Sequence, residues 1–181
     1  MNQQVKLEPV SEQHAPIIQR LVVSHPDIVK LTRLPDPYPA NAAKEWIKSA
    51  IPRHKDGDEY SFVIKNKNDQ IAGTCGLIVS KKENEAELGY WIGHQFWNQG
   101  FATAAICEAL NFAFEKRNFE RVFALPLMRN KASRVALEKN DFHHIKTRQN
   151  RNPKWGKTDQ IAVYEITFEK WRKNFNPPAI S

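Results

Sequence analysis

Val5 and Leu7 alternate with Lys6 and Glu8, the period of a half-buried strand, and Pro9 closes it because it has no N–H to give a ladder. Ser11 is placed to cap a helix that runs to about Val23, with Ile17, Ile18, Leu21 and Val22 on its apolar side. Residues 24–40 hold Pro26, Pro35, Pro37 and Pro39 and predict a long connection without regular structure. Asn41 is placed to cap a second helix carrying Ala42, Trp46, Ile47 and Ala50, and Pro52 marks its expected end.

Strand patterns follow. Tyr60–Ile64 and Ile71–Val79 flank the polar stretch Lys65–Gln70, which predicts a hairpin, and Ala86–Ile92 is a third strand after the Lys81–Glu85 turn. From about Gln99 to Lys116 the chain is apolar almost all round, with a polar stripe at Thr103, Cys107, Asn111 and Glu115. A helix of that kind must lie on something large, most simply the face of a sheet. Arg121–Leu125 reads as a strand, Lys131–Lys139 as a helix, Phe142–Thr147 and Thr158–Phe168 as strands, and Glu169–Asn174 as a last short helix. The order predicts an α/β fold: a mixed central sheet of about seven strands with helices on both faces. With no repeat or linker, residues 1–181 read as one domain with a core of about 5–171 and a tail at 175–181.

Charge sharpens this picture only a little. Lys and Arg number 27 against 20 Asp and Glu, a net charge of +7 in 181 residues, which favours an anionic partner without choosing one. Cys75 and Cys107 make no CxxC pair, so neither a disulfide framework nor a thiolate zinc site is expected. The first residues hold no apolar core, and the longest apolar stretch, Phe101–Phe114, is too short to cross a membrane. A cytoplasmic domain with no membrane contact is the expectation.

Five of the seven glycines fall between 73 and 100. Gly89 and Gly93 flank Tyr90-Trp-Ile92, and Gly100 stands where the long helix begins. A strand leading through a glycine turn into a helix N-terminus is suited to anions, because unpaired N–H groups and the helix dipole point the same way. Neither GxxxxGK[ST] nor GxGxxG occurs.

Trp97-Asn-Gln-Gly-Phe-Ala-Thr103, preceded by Glu87-Leu-Gly-Tyr-Trp-Ile-Gly93, resembles the acetyl-CoA signature of the GNAT superfamily of N-acetyltransferases, Gln/Arg-x-x-Gly-x-Gly/Ala. Gly100 and Ala102 match its last two positions, while Trp97 replaces the Gln/Arg, as in the branch related to ribosomal-protein N-terminal acetyltransferases (the RimJ/RimL type). Asn130-Lys-Ala-Ser133 and Glu138-Lys-Asn-Asp-Phe142 resemble that branch's second motif, with Asp141 in place of a glycine at the helix C-cap. Gly156-Lys-Thr-Asp159 and Tyr164 resemble its last hairpin.

The resemblance implies acetyl-CoA as co-substrate and no metal. Asn98, Gln99, Gly100, Phe101, Ala102 and Thr103 would hold the pyrophosphate through backbone N–H groups. Trp91, Ile92 and Gly93 would bind the pantetheine arm, one of their N–H groups polarising the thioester carbonyl. Glu87 is then the candidate base, or else a solvated carboxylate in the run Glu83, Glu85, Glu87. Ser133 would serve the leaving sulfur, since Leu137 stands where many relatives have a Tyr, or it bonds only the local backbone. Asn130 would contact the pantetheine arm, cap its helix, or both.

The implied acceptor is a primary amine, such as a protein N-terminus or a small-molecule amine. A different class of reading is an acyl-CoA-binding or RNA-docking module. Tyr38, Trp46 and Trp155 are aromatic candidates for the acceptor groove. Ile145–Lys157 carries Lys146, Arg148, Arg151, Lys154 and Lys157 without an acid, either an RNA or ribosome contact or a solvated hairpin. Relatives of this kind are often homodimers.

Overall fold

A computed structural model describes residues 3–175. The strands are β1 (Val5–Pro9), β2 (Glu59–Asn66), β3 (Ile71–Ser80), β4 (Glu85–Ile92), β5 (Arg121–Ala124), β6 (His143–Gln149) and β7 (Gln160–Thr167). The helices are α1 (Ala15–Val23), α2 (Pro26–Lys30), α3 (Ala42–Asp56), α4 (Phe101–Asn111), α5 (Lys131–Glu138) and α6 (Phe168–Phe175). One seven-stranded sheet runs β1-β2-β3-β4-β5-β7-β6. Only β4 and β5 pair in parallel among the described strands. The expected tail at 175–181 lies, beyond the last residue of α6, outside the described residues.

Strand register decides what faces what. Tyr60, Leu77 and Leu88 lie in one cross-strand row, and Phe62, Cys75 and Tyr90 in the next. Both rows share a face, because successive side chains of a strand alternate. The ring of Phe112, in the π-helical turn Phe112–Lys116 that continues α4, lies 5.0 Å from both Tyr60 and Phe62. The α4 residues Ala105, Ile106, Ala109 and Leu110 are all buried, the sheet-facing stripe that the apolar run required. The opposite face carries Glu59, Ile78, Glu87 and Gly93; Leu21 of α1 lies against Gly93. Helices therefore cover both faces.

The structure departs from the sequence reading at several boundaries. Residues 24–40 are not without structure: they contain α2, whose N1 residue is Pro26 and whose N-cap His25 accepts a bond from Asp27 N at 3.2 Å. Proline suits N1 because the missing N–H has no helical partner there. Pro52 does not end α3. The helix runs one more turn to Gly57, which takes φ 72°, and Asp58 N bonds Arg53 O at 2.9 Å, a C-terminal glycine motif that outweighs the proline. Asn41 stands at the N-cap of α3 without a side-chain bond; Gln19 Oε1 on α1 accepts from Ala43 N instead (3.2 Å). Ser11 opens a 3-10 turn, Glu12–His14, before α1 begins at Ala15. Asp141 has φ 58°, the left-handed conformation expected of it, two residues past the C-cap Lys139.

β3 and β4 approach closely at one point. A Cβ on Gly73 would stand 2.1 Å from the carbonyl oxygen of Trp91. Gly73→Ala must push β4 away, and overpacking of this kind costs about 1–3 kcal/mol. Urea unfolding should show the variant destabilised by at least about 2 kcal/mol, whereas an unchanged midpoint would mean that the strands separate freely.

Candidate active site

The pairing of β4 with β5 covers only Glu85–Leu88 against Arg121–Ala124. On its other side β4 stays paired with β3 through Ile92. Beyond Leu88 the sheet therefore opens, and a cleft of about 900 Å³ occupies the opening. Backbone polar groups in a strand also alternate in direction. Gly93 N bonds Ala72 O on β3 at 2.8 Å, so Trp91 and Gly93 direct their N–H groups to β3 while Tyr90 and Ile92 direct theirs to the opening. This corrects the expectation of N–H donors into the cleft for Trp91 and Gly93, whose N–H groups face β3, that of Gly93 being engaged there, and leaves Ile92. The Ile92 carbonyl accepts the Trp97 indole N–H at 2.7 Å, which folds the following turn back on the strand. Trp97 thus has a structural task at the position where the signature has Gln or Arg.

That turn contains Asn98 at φ 59° and Gly100 at φ 87°, then α4 begins at Phe101. The left-handed φ at 100 is the physical reason for glycine there. The first i→i−4 bond of α4 is Ala104 N to Gly100 O (3.0 Å), so Phe101, Ala102 and Thr103 present N–H groups that no helical carbonyl takes up. The Phe101 side chain is buried against Phe96 and belongs to the core. Gln99 is exposed and bonds Gln95 O (2.9 Å). Asn98, Gly100, Phe101, Ala102 and Thr103 line the cleft, together with Trp91 and Ile92.

The cleft passes through the sheet. Glu87 and Gly89 are on one face of β4, Tyr90 on the other. Glu87 is half-buried, and Arg33 Nη2 reaches its Oε1 at 2.6 Å. It stands in one cross-strand row with Ile78 and Glu59, which puts the two Cα atoms roughly 10 Å apart by strand spacing. Glu59 is held by Arg53 (3.1 Å) and accepts the hydroxyl of Ser61. Glu85 and Glu83 are otherwise engaged: Glu85 pairs with Arg121, which also bonds Glu165 at 2.6 Å, and Glu83 accepts from Ser80.

On the opposite face, the Tyr90 hydroxyl lies 2.8 Å from Ser133 Oγ and 3.2 Å from Ser133 O. Burial pushes the Tyr90 phenol well above its ordinary range, against the effect of the Ser133 bond. Asn130 caps α5: its side chain accepts from Ser133 N at 3.1 Å. Leu137 is fully buried. Cys75 also lines the cleft, but burial pushes its thiol up to about 12, so it stays protonated and unreactive.

Tyr38, Trp46 and Trp155 line the cleft on the side of α1 and α2. Trp155 is buried, and its indole donates to Lys30 O at 2.9 Å. The basic segment 145–157 divides in two. Lys146, Arg148, Arg151 and Lys157 are exposed, while Lys154 turns inward onto backbone carbonyls. His94 is exposed and stacks on His25 with ring centroids 4.2 Å apart.

Three residues escaped the sequence reading. Arg33 lies in the proline-rich connection, far from Glu87 in sequence. Tyr90 was visible as a strand residue, but its partner Ser133 is 43 positions on. Lys154 read as one of five basic residues of a hairpin offered to RNA or to solvent. Only the facing of Tyr90 toward the α4 side was available from alternation.

The family model described as "Acetyltransferase (GNAT) domain" matches residues 4–143. The Bacillus subtilis (strain 168) protein YkkB is 31% identical over 136 residues, 74% of this chain and 72% of YkkB. Among solved structures, Mycobacterium smegmatis RimJ in complex with CoA-disulfide superposes with a TM-score of 0.83 at 19% identity, covering 91% of this chain and 82% of that one. RimL, a ribosomal L7/L12 alpha-N-protein acetyltransferase, superposes at 0.82 with 18% identity and 90% of each chain covered. Those two similarities are of fold. The family match, which covers most of its length, makes this chain a member of the GNAT acetyltransferase family.

Proposed function

We propose that this protein is an acetyl-CoA-dependent N-acetyltransferase that transfers the acetyl group to a primary amine, a protein N-terminus, by direct attack on the thioester. The observation that carries the reading is the cleft through the sheet. It joins an anion-suited helix N-terminus on one side to a half-buried carboxylate on the other. The CoA named in the RimJ complex and the alpha-N-protein substrate named for RimL support the same assignment.

In this reading the pyrophosphate lies on the N–H groups of Asn98 to Thr103, and pantetheine follows the unpaired edge of β4. The Ile92 N–H directs its dipole at the thioester carbonyl, where negative charge grows in the transition state. Asn130 adds a contact to the arm while it caps α5. The amine arrives from the Glu87 face. An α-amine titrates near ~7.7–8.0 and a lysine near ~10.4, so an N-terminus gives up its proton more cheaply. The nitrogen lone pair forms the new C–N bond, the C–S bond breaks, the amine proton goes to Glu87, and the leaving sulfur takes a hydrogen bond from Ser133. With Tyr90 as the donor of that hydroxyl pair, the serine proton is free to face the sulfur.

Thiol release from acetyl-CoA should be fastest with peptides carrying a free N-terminus and slower with polyamines or amino sugars; the reverse order would move the substrate to a small molecule. Tight acetyl-CoA binding with no turnover on any acceptor would leave a binding module instead. Glu87→Gln should lower kcat by about 10²-fold, the low end of general-base contributions. Ser133→Ala and Tyr90→Phe should each lower kcat by about tenfold while the Kd for acetyl-CoA stays within about twofold, and wild-type rates in both would remove the sulfur-side assignment.

A further inference from the structure

Lys154 lies in the loop between β6 and β7, and its ammonium points at a segment more than a hundred positions earlier. It donates to Val29 O at 2.6 Å and Thr32 O at 3.0 Å, and also to Leu34 O. An ammonium has three protons and no acceptor, so these three carbonyls complete its donor set. The neighbouring Trp155 indole donates to Lys30 O at 2.9 Å. Arg129, fixed by Asp159 at 2.9 Å, reaches the same carbonyl at 3.5 Å. The C-terminal end of α2, where carbonyls lack helical partners, is thus bonded from two sides: Thr32 Oγ1 donates to Ile28 O at 2.6 Å, and cationic and indole donors from the far end of the chain take Val29 O and Lys30 O.

The held segment brackets Arg33, since Thr32 and Leu34 are both bonded by Lys154. The Arg33 side chain is 48% exposed, yet it makes the 2.6 Å bond to Glu87. A half-exposed arginine gains little from one ion pair and loses rotamer entropy in making it. Its position over Glu87 therefore depends on where the backbone starts it. We propose that Lys154 is a positioning residue for the acceptor side: it fixes the 29–34 segment so that Arg33 lies on Glu87. This rests on the reading of Glu87 as the base. The incoming ammonium must take the place of Arg33 at that carboxylate, so the clamp sets how the acceptor enters. Burial lowers the proton affinity of Lys154 and the charge of Asp36 opposes that effect, consistent with a lysine used inside rather than offered to nucleic acid.

The test reads the Arg33 guanidinium by NMR, its Nε–H signal being assigned by its loss in Arg33→Gln. Glu87→Gln should shift that signal, and Lys154→Met should shift it to the same position, with the Kd for acetyl-CoA unchanged within about twofold. Lys154→Gln, which keeps two amide protons and folds more readily, should move it part of the way. An Arg33 signal that stays at its wild-type position in both Lys154 variants overturns the proposal, as does a loss of acetyl-CoA affinity as large as the loss of the ion pair. Wild-type kcat in Glu87→Gln removes the base and leaves the Arg33 result standing, so the two readings fail separately.

Discussion

β4 must be a full strand toward β3 but only half a strand toward β5. Eight residue pairs join it to β3, from Ser80–Glu85 to Gly73–Ile92, and four join it to β5. The unpaired half would be an orphaned edge inside a protein, which is costly unless something hydrogen-bonds it. That unmet demand is the central physical fact of the site. It provides a wall of N–H and C=O groups suited to an amide-bearing arm. It also forms a passage between the two faces of the sheet, with Glu87 at one end and the Tyr90–Ser133 pair at the other. At Gly73 the supported side of β4 lies so close to β3 that no Cβ fits, while the other side is open.

The charge surplus has a different destination from the one its size suggests. The cations that pair with carboxylates cancel out of it, and Lys154 is turned inward. Arg33 and Arg53 engage Glu87 and Glu59, Arg121 bridges Glu85 and Glu165, and Lys154 caps α2. The anion-suited turn uses backbone N–H groups and adds nothing to the count of Lys and Arg. What is left over near the last hairpin is the exposed set Lys146, Arg148, Arg151 and Lys157. Among the described residues no helix is long and apolar enough to cross a membrane.

Six of the seven strands were legible because each carries a period-2 pattern or an apolar run between turn signals, and α4 because its apolar stripe is nearly continuous; β6, exposed along its whole length, carries neither. Asp141 and Gly100 were legible because a left-handed φ leaves few choices of residue. Element ends were less so. Pro52 reads as a breaker, yet a glycine five positions on supplied the stronger stop. α2 was hidden because the prolines that suggest a loop include one at N1, where proline favours a helix.

The sequence by itself determined the fold class and the strand-turn-helix that suits a phosphate, and the resemblance of its motifs to those of the GNAT superfamily named the carboxylate and hydroxyl to examine. Those features are local: they depend on periodicity, on glycine's freedom and on motif spacing. Only the tertiary structure decided which residues meet. Arg33 with Glu87, Tyr90 with Ser133, and Lys154 with the end of α2 are pairs separated by tens of positions or more. No pattern along one strand or helix encodes them, because strand order and register, not spacing in the chain, bring them together.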